Sequence, residues 1–101
     1  MKQIIGGKIY DTEKAVLIGK WNNGYFGNDF NVCSEKLWKS QKNQYFIAGE
    51  GGALSKYAEN YGNSTGSGER IDLLSLEEAR KWAEKHLSAE KYQEEFQTEK
   101  G

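Results

Sequence analysis

The sequence predicts an α+β domain: an antiparallel sheet of about four strands carrying one or two amphipathic helices at its C-terminal end. Three observations point there. "NVCSEKLWKS" and "QYFIAGE" are two strand-like runs separated by "QKN", the pattern of a β-hairpin. Ser75-Leu76-Glu77-Glu78 forms a capping box in front of an apolar stripe at helical spacing. The chain also has 101 residues, enough for one domain with a single modest core.

Taken in order, "KQIIGGKIYD" gives a short strand at Ile9 and Tyr10, after a turn at Gly6-Gly7. "DTEKA" opens a single helical turn that Asp11 or Thr12 can cap, with Glu13 favouring its start. "AVLIGKW" is rich in β-branched and aromatic residues and reads as a strand. "NNGYFGND" breaks it with residues that reach positive φ. In the second hairpin strand Tyr45 and Ile47 fall on one face, Phe46 and Ala48 on the other, so this strand is expected to be central.

"GEGGALSKYAENYGNSTGSGE" follows, from Gly49 to Glu69. Within it Leu54, Tyr57, Ala58 and Tyr61 stand at i, i+3, i+4 and i+7, which predicts a short helix ended by Gly62. "RIDLLS" is a further strand leading into the capping box. Leu76, Ala79, Trp82, Ala83 and His86/Leu87 form the stripe behind that box, and Glu77 and Lys81 make an i,i+4 pair. Ser88 caps a second short helix with Ala89, Tyr92 and Phe96 inward. Residues 1–96 form the domain and 97–101 a frayed tail. Trp82, Leu76, Leu87, Ile47, Leu37 and Val16 are the expected core.

Composition excludes several classes of function. No apolar run approaches the ~20 residues of a membrane helix, and the start of the chain lacks the apolar stretch of a secretory signal. The single cysteine, Cys33, allows no internal disulfide and suits a reducing, cytoplasmic setting. One His and one Cys offer no zinc spacing, and the acidic residues follow no calcium-loop pattern, so no metal or other cofactor is expected. His86 near a helix C-terminus reads as a dipole partner, and nothing local lowers the pKa of Cys33, so a catalytic role is assigned to neither. The net charge of −1 hides an asymmetry: residues 1–45 hold seven lysines against four carboxylates, whereas residues 46–101 hold seven Lys/Arg against eleven. Two solvated faces explain this simply. A bipolar molecule whose acidic helical end meets a basic partner is the sharper reading.

A connection of about twenty residues is long for so small a domain, and such loops tend to carry function. The candidate partner- or ligand-binding residues are therefore Glu50, Ser55, Lys56, Tyr57, Asn60, Tyr61, Asn63 and Thr65. Two other surfaces compete. Backbone amides of Gly49–Gly52 could hold a small anion, although no P-loop or dinucleotide fingerprint accompanies them. The 36–46 hairpin interleaves Lys36, Lys39 and Lys42 with Trp38, Tyr45 and Phe46, the ingredients of a single-strand nucleic-acid platform. A sequence pI near 5.9 disfavours that second surface.

The segments "GGKIYDTEKA", "YFIAGEGGALSKYAENYGN" and "LSLEEARKWAEKH" resemble a family of small, mostly uncharacterised bacterial, phage and mobile-element proteins. The resemblance touches most of the chain but brings no catalytic constellation and no established binding residues. It implies a compact α+β protein of accessory genomes, a setting in which small proteins often block host defence, including CRISPR effectors, by covering a surface. The resulting expectation is a non-enzymatic binding protein, an anti-CRISPR-type inhibitor in its most concrete form, with a protein partner such as a host defence nuclease complex.

Overall fold

A computed structural model describes all residues 1–101. The chain runs β1 (Lys2–Ile5), β2 (Lys8–Asp11), a 3₁₀ turn (Thr12–Lys14), β3 (Val16–Asn22), β4 (Cys33–Lys39), β5 (Tyr45–Gly51), β6 (Glu59–Tyr61), β7 (Ser64–Gly66), β8 (Gly68–Leu74), α1 (Leu76–His86) and α2 (Ala89–Glu95). The main sheet is antiparallel with order β3-β4-β5-β8, so β5 is central as its two apolar faces require. The β4–β5 hairpin, the Asp11-capped turn, the capping box at Ser75–Glu78 and the Ser88 cap all form where the sequence places them.

The helices cover one face of this sheet. Leu37 and Ile47 from β4 and β5 bury against Ala79 and Ala83 of α1 and against Phe96, which follows α2, while Trp82 and Leu87 close the margin. On the other face lies the β1–β2 hairpin, reversed at Gly6 and Gly7 with φ of 58° and 79°, a two-residue turn that side chains rarely tolerate. Its Tyr10 buries against Phe46, Ala48 and Ile71. The Gln3 side chain accepts from Ile71 N at 3.0 Å, which ties this hairpin to edge strand β8.

Five expectations need correction. The short helix over 54–61 does not form: residues 53–57 make tight turns, and 59–66 form the β6–β7 hairpin. Four apolar residues at helical spacing are too few to hold a helix against the local bonds of Ser55, whose Oγ donates to Gly52 O at 2.7 Å and accepts from Tyr57 N at 3.2 Å. Gly62, with φ of 68°, is a hairpin-turn residue and not a helix cap. Leu76 and Val16 are 53% and 62% exposed: Leu76 faces a surface hollow with Leu73, and Val16 opens an edge strand. Ala89, in the first turn of α2, faces solvent. Finally, Lys2–Ile5 is a full strand paired to β2, although its own residues alternate poorly.

Candidate functional site

One end of the main sheet, where β4 begins and β5 ends, separates two acidic arrangements on opposite faces. Cross-strand partners point the same way, so the Glu35–Gly49–Arg70 row faces the helices and the Ser34–Glu50–Glu69 row faces away.

On the helix side Glu35 is 3% exposed. Its carboxylate accepts from Tyr57 Oη and, at 3.0 Å, from Trp82 Nε1, and Lys56 Nζ lies 2.5 Å from it. Burial alone raises this carboxyl, but donation from Lys56, Tyr57 and Trp82 outweighs it and leaves the group below the ordinary carboxylate range. Burial pushes the Tyr57 hydroxyl up, and the bond to Glu35 pushes the same way. The Tyr57 ring lies on Gly49, where a Cβ would fall 2.0 Å from Cζ, and the Arg70 guanidinium caps the ring at 4.6 Å from its centroid. Burial, with the Glu35 charge behind it, raises the Cys33 thiol, which is the opposite of an activated nucleophile. His86 lies against the rings of Trp21 and Trp82 at 4.5 and 5.0 Å, and burial lowers its pKa. No three His, Cys, Asp or Glu side chains stand close enough to hold a metal ion.

On the other side is an open groove of about 870 Å³. Its floor is the end of the sheet. One wall is the loop after β3 and the other is the β6–β7 hairpin. The loop is ordered by its own polar side chains: Asn22 Oδ1 accepts from Gly24 N at 2.9 Å, Asn23 Oδ1 from Cys33 N at 3.1 Å, and Asp29 Oδ1 from Asn31 N at 2.8 Å. Backbone bonds from Gly52 N to Val32 O and from Leu54 N to Phe30 O, both 2.8 Å, fasten it to the segment after β5. So held, the loop presents Phe26 and Phe30, 78% and 65% exposed, together with Tyr25. The opposite wall is braced by Tyr61 Oη donating to Ser67 O at 2.9 Å.

The groove is lined by Asp29, Glu50, Glu59 and Glu69 and by no lysine or arginine. Glu50 and Glu69 are direct cross-strand partners, a like-charge pairing that disfavours the sheet, and neither has a basic nitrogen within 4.0 Å. No family model matches the chain, and no curated protein or solved structure matches it.

The structure divides the sequence-predicted residues. Glu50, Tyr61 and Thr65 line the groove together. Asn60 bonds Thr65 across the hairpin at 3.2 Å, and Asn63 sits at its turn, so both belong to the wall without facing the groove. Ser55 shapes the turn behind it. Lys56 and Tyr57 serve Glu35 on the other face, and Tyr57, 2% exposed, presents no contact surface. Asp29, Phe30, Ser34, Glu59 and Glu69 are groove residues that sequence reasoning missed: they are scattered over forty-one positions, and strand register together with the loop's bonds to the segment after β5 brings them to one space.

The competing surfaces fare differently. Gly49 and Gly51 lie in β5 with strands on both sides, and Gly52 N donates to Val32 O, so these amides form no anion nest. Phe46 is fully buried and Tyr45 donates to Glu95, which leaves half-buried Trp38, in a hollow it shares with Lys36, as the aromatic of the 36–46 hairpin nearest to that expectation.

Proposed function

We propose that this protein is a non-enzymatic binding domain that docks on a cationic protein surface through the acidic groove and its aromatic wall. The observation that carries the reading is the gathering of four carboxylates, with no lysine or arginine, in a groove that Phe30 also lines, with Phe26 exposed on the same loop. Exposed aromatic side chains supply apolar area at an interface, and unpaired carboxylates supply steering and register toward Lys and Arg. In its most concrete form the partner is a bacterial defence nuclease, whose nucleic-acid-binding surface is basic, and the protein acts as an anti-CRISPR-type inhibitor by covering it. Two features support a binding role over catalysis: Cys33 is buried with a raised thiol pKa, and His86 is enclosed by aromatic rings.

Capture from bacterial lysate, followed by direct binding with the purified captured protein, tests this. A Glu50→Gln/Glu59→Gln/Glu69→Gln variant should lose the partner, and added salt should weaken the wild-type complex. Inhibition of nucleic-acid cleavage by the partner, lost in the same variant, would support the defence-nuclease form. A partner held equally by wild type and variant, or none held by either, overturns the groove as a docking surface.

A further inference from the structure

The opposite end of the sheet carries the opposite charge. Lys2 from β1, Lys8 from β2, Lys14 from the 3₁₀ turn and Lys42 from the β4–β5 turn converge on one cleft of about 490 Å³. Asp11 is its only carboxylate, 3.9 Å from Lys2; Lys8, Lys14 and Lys42 have none within 4.0 Å. Four lysines bordering one space with a single carboxylate leave it a net positive charge that an anion would offset.

The elements bearing these lysines are fixed. Asp11 Oδ1 accepts from Glu13 N at 3.0 Å, which sets the 3₁₀ turn. Ser40 Oγ accepts from Gln44 N at 3.0 Å, and Asn43 takes φ of 65°, which sets the turn that holds Lys42. Lysine stems and heads therefore project from a rigid frame, so part of the ordering cost of binding is met before a ligand arrives. Ile9, largely exposed, supplies an apolar surface in the same cleft, and the Ser40 hydroxyl has its hydrogen to donate there, whereas Gln44 Nε2 is spent on Tyr45 O and Leu74 O, each at 2.8 Å.

We infer that this cleft binds a small polyphosphate-bearing ligand of the nucleoside triphosphate class. Its volume suits a molecule of that size, and its charge suits several phosphate oxygens at once. A nucleic-acid strand fits less well, because the cations do not continue as a track. Lys39 is held by Glu95 at 2.7 Å, and Lys36 borders a hollow it shares with Glu50 and Glu69. The cleft and the groove share no residue, so each stands or falls independently.

Calorimetric titration with sodium tripolyphosphate and with ATP at low ionic strength tests the inference. Both should bind saturably at one site and weaken as salt is added. ATP should bind more tightly than tripolyphosphate if its ring system uses Ile9. Lys8→Gln/Lys42→Gln should weaken both by about tenfold or more, as loss of two partly exposed charge-assisted contacts implies. The single Lys42→Gln, on a solvent-facing turn, should give a smaller loss in the same direction, and Glu50→Gln/Glu69→Gln should bind like wild type. Absence of binding to both probes, or binding that the double lysine variant retains in full, overturns the assignment. Tighter binding of a single-stranded RNA 12-mer than of ATP, increasing further with strand length, would also overturn it by giving the cleft to a polymer.

Discussion

Glu35 and Glu50 sit on neighbouring strands at the same end of one sheet, yet their surroundings differ in almost every respect. Glu35 points toward the helices, is buried, and is met by a phenol, an indole and an ammonium group. Glu50 points the other way, is exposed, and faces another carboxylate across the strand. A charge removed from water must be matched by donors or it neutralises itself. A charge left in water can remain unmatched at small cost and stay available to a partner. Glu35 therefore belongs to the architecture of the loop after β5, whereas Glu50 belongs to the surface.

If that contrast is right, Glu35→Ala should have the largest effect on stability. It strips the acceptor from Tyr57 Oη and Trp82 Nε1 and leaves Lys56 without its partner, so a loss of about 3–5 kcal/mol is expected, measured by urea unfolding. The pH dependence follows from the lowered carboxyl pKa of Glu35. A group whose folded-state pKa lies below its unfolded value contributes fully above the ordinary carboxylate range and loses that contribution as pH falls through the folded pKa. The thermal midpoint of the wild type should thus drop more steeply on acidification than that of Glu35→Gln. Parallel curves would mean that Glu35 is not the proton-linked group.

Gly49→Ala should come next. The added methyl would fall 2.0 to 2.6 Å from Cζ, Oη and Cε1 of Tyr57, whose ring is buried and capped by Arg70. Overpacking of this kind costs about 1–3 kcal/mol. A further consequence should be visible without unfolding the protein. Displacing Tyr57 loosens the turn at residues 52–57, so amide exchange there should rise more than in α1. Equal protection in both regions would show that the ring does not hold the turn.

The sheet, both helices and their caps are legible because each rests on residues close together in sequence: alternating burial in 33–39, a continuous apolar run in 45–48, a capping box in 75–78. The segment over 54–61 misled for the same reason. Its helical spacing is a local signal, but Tyr57 is placed by Glu35, twenty-two residues upstream, and that bond outweighs a weak local preference. The groove was half legible. A long polar loop pointed to Glu50, Tyr61 and Thr65, but nothing local announces that Glu69 will stand opposite Glu50, or that Asp29 will close the same space. The basic cleft has no local signal, since its four lysines come from segments whose convergence depends on where the β1–β2 hairpin docks.

The smallest expected change in stability is also the most informative. Glu50→Gln/Glu69→Gln removes a like-charge pair from directly opposed positions, so the fold should be unchanged or gain up to about 1 kcal/mol. Residues kept for stability do not behave this way, because their loss leaves something unpaired. A cross-strand carboxylate pair that opposes folding, lines an open groove and has no basic nitrogen within 4.0 Å leaves both charges available to a cationic partner at a small thermodynamic cost. Urea unfolding of this variant beside Glu35→Ala separates the two faces of the sheet. Destabilisation of similar size in both would make the groove acids structural and end the contrast. A stable variant that has lost its partner would leave Glu50 and Glu69 with recognition as their role.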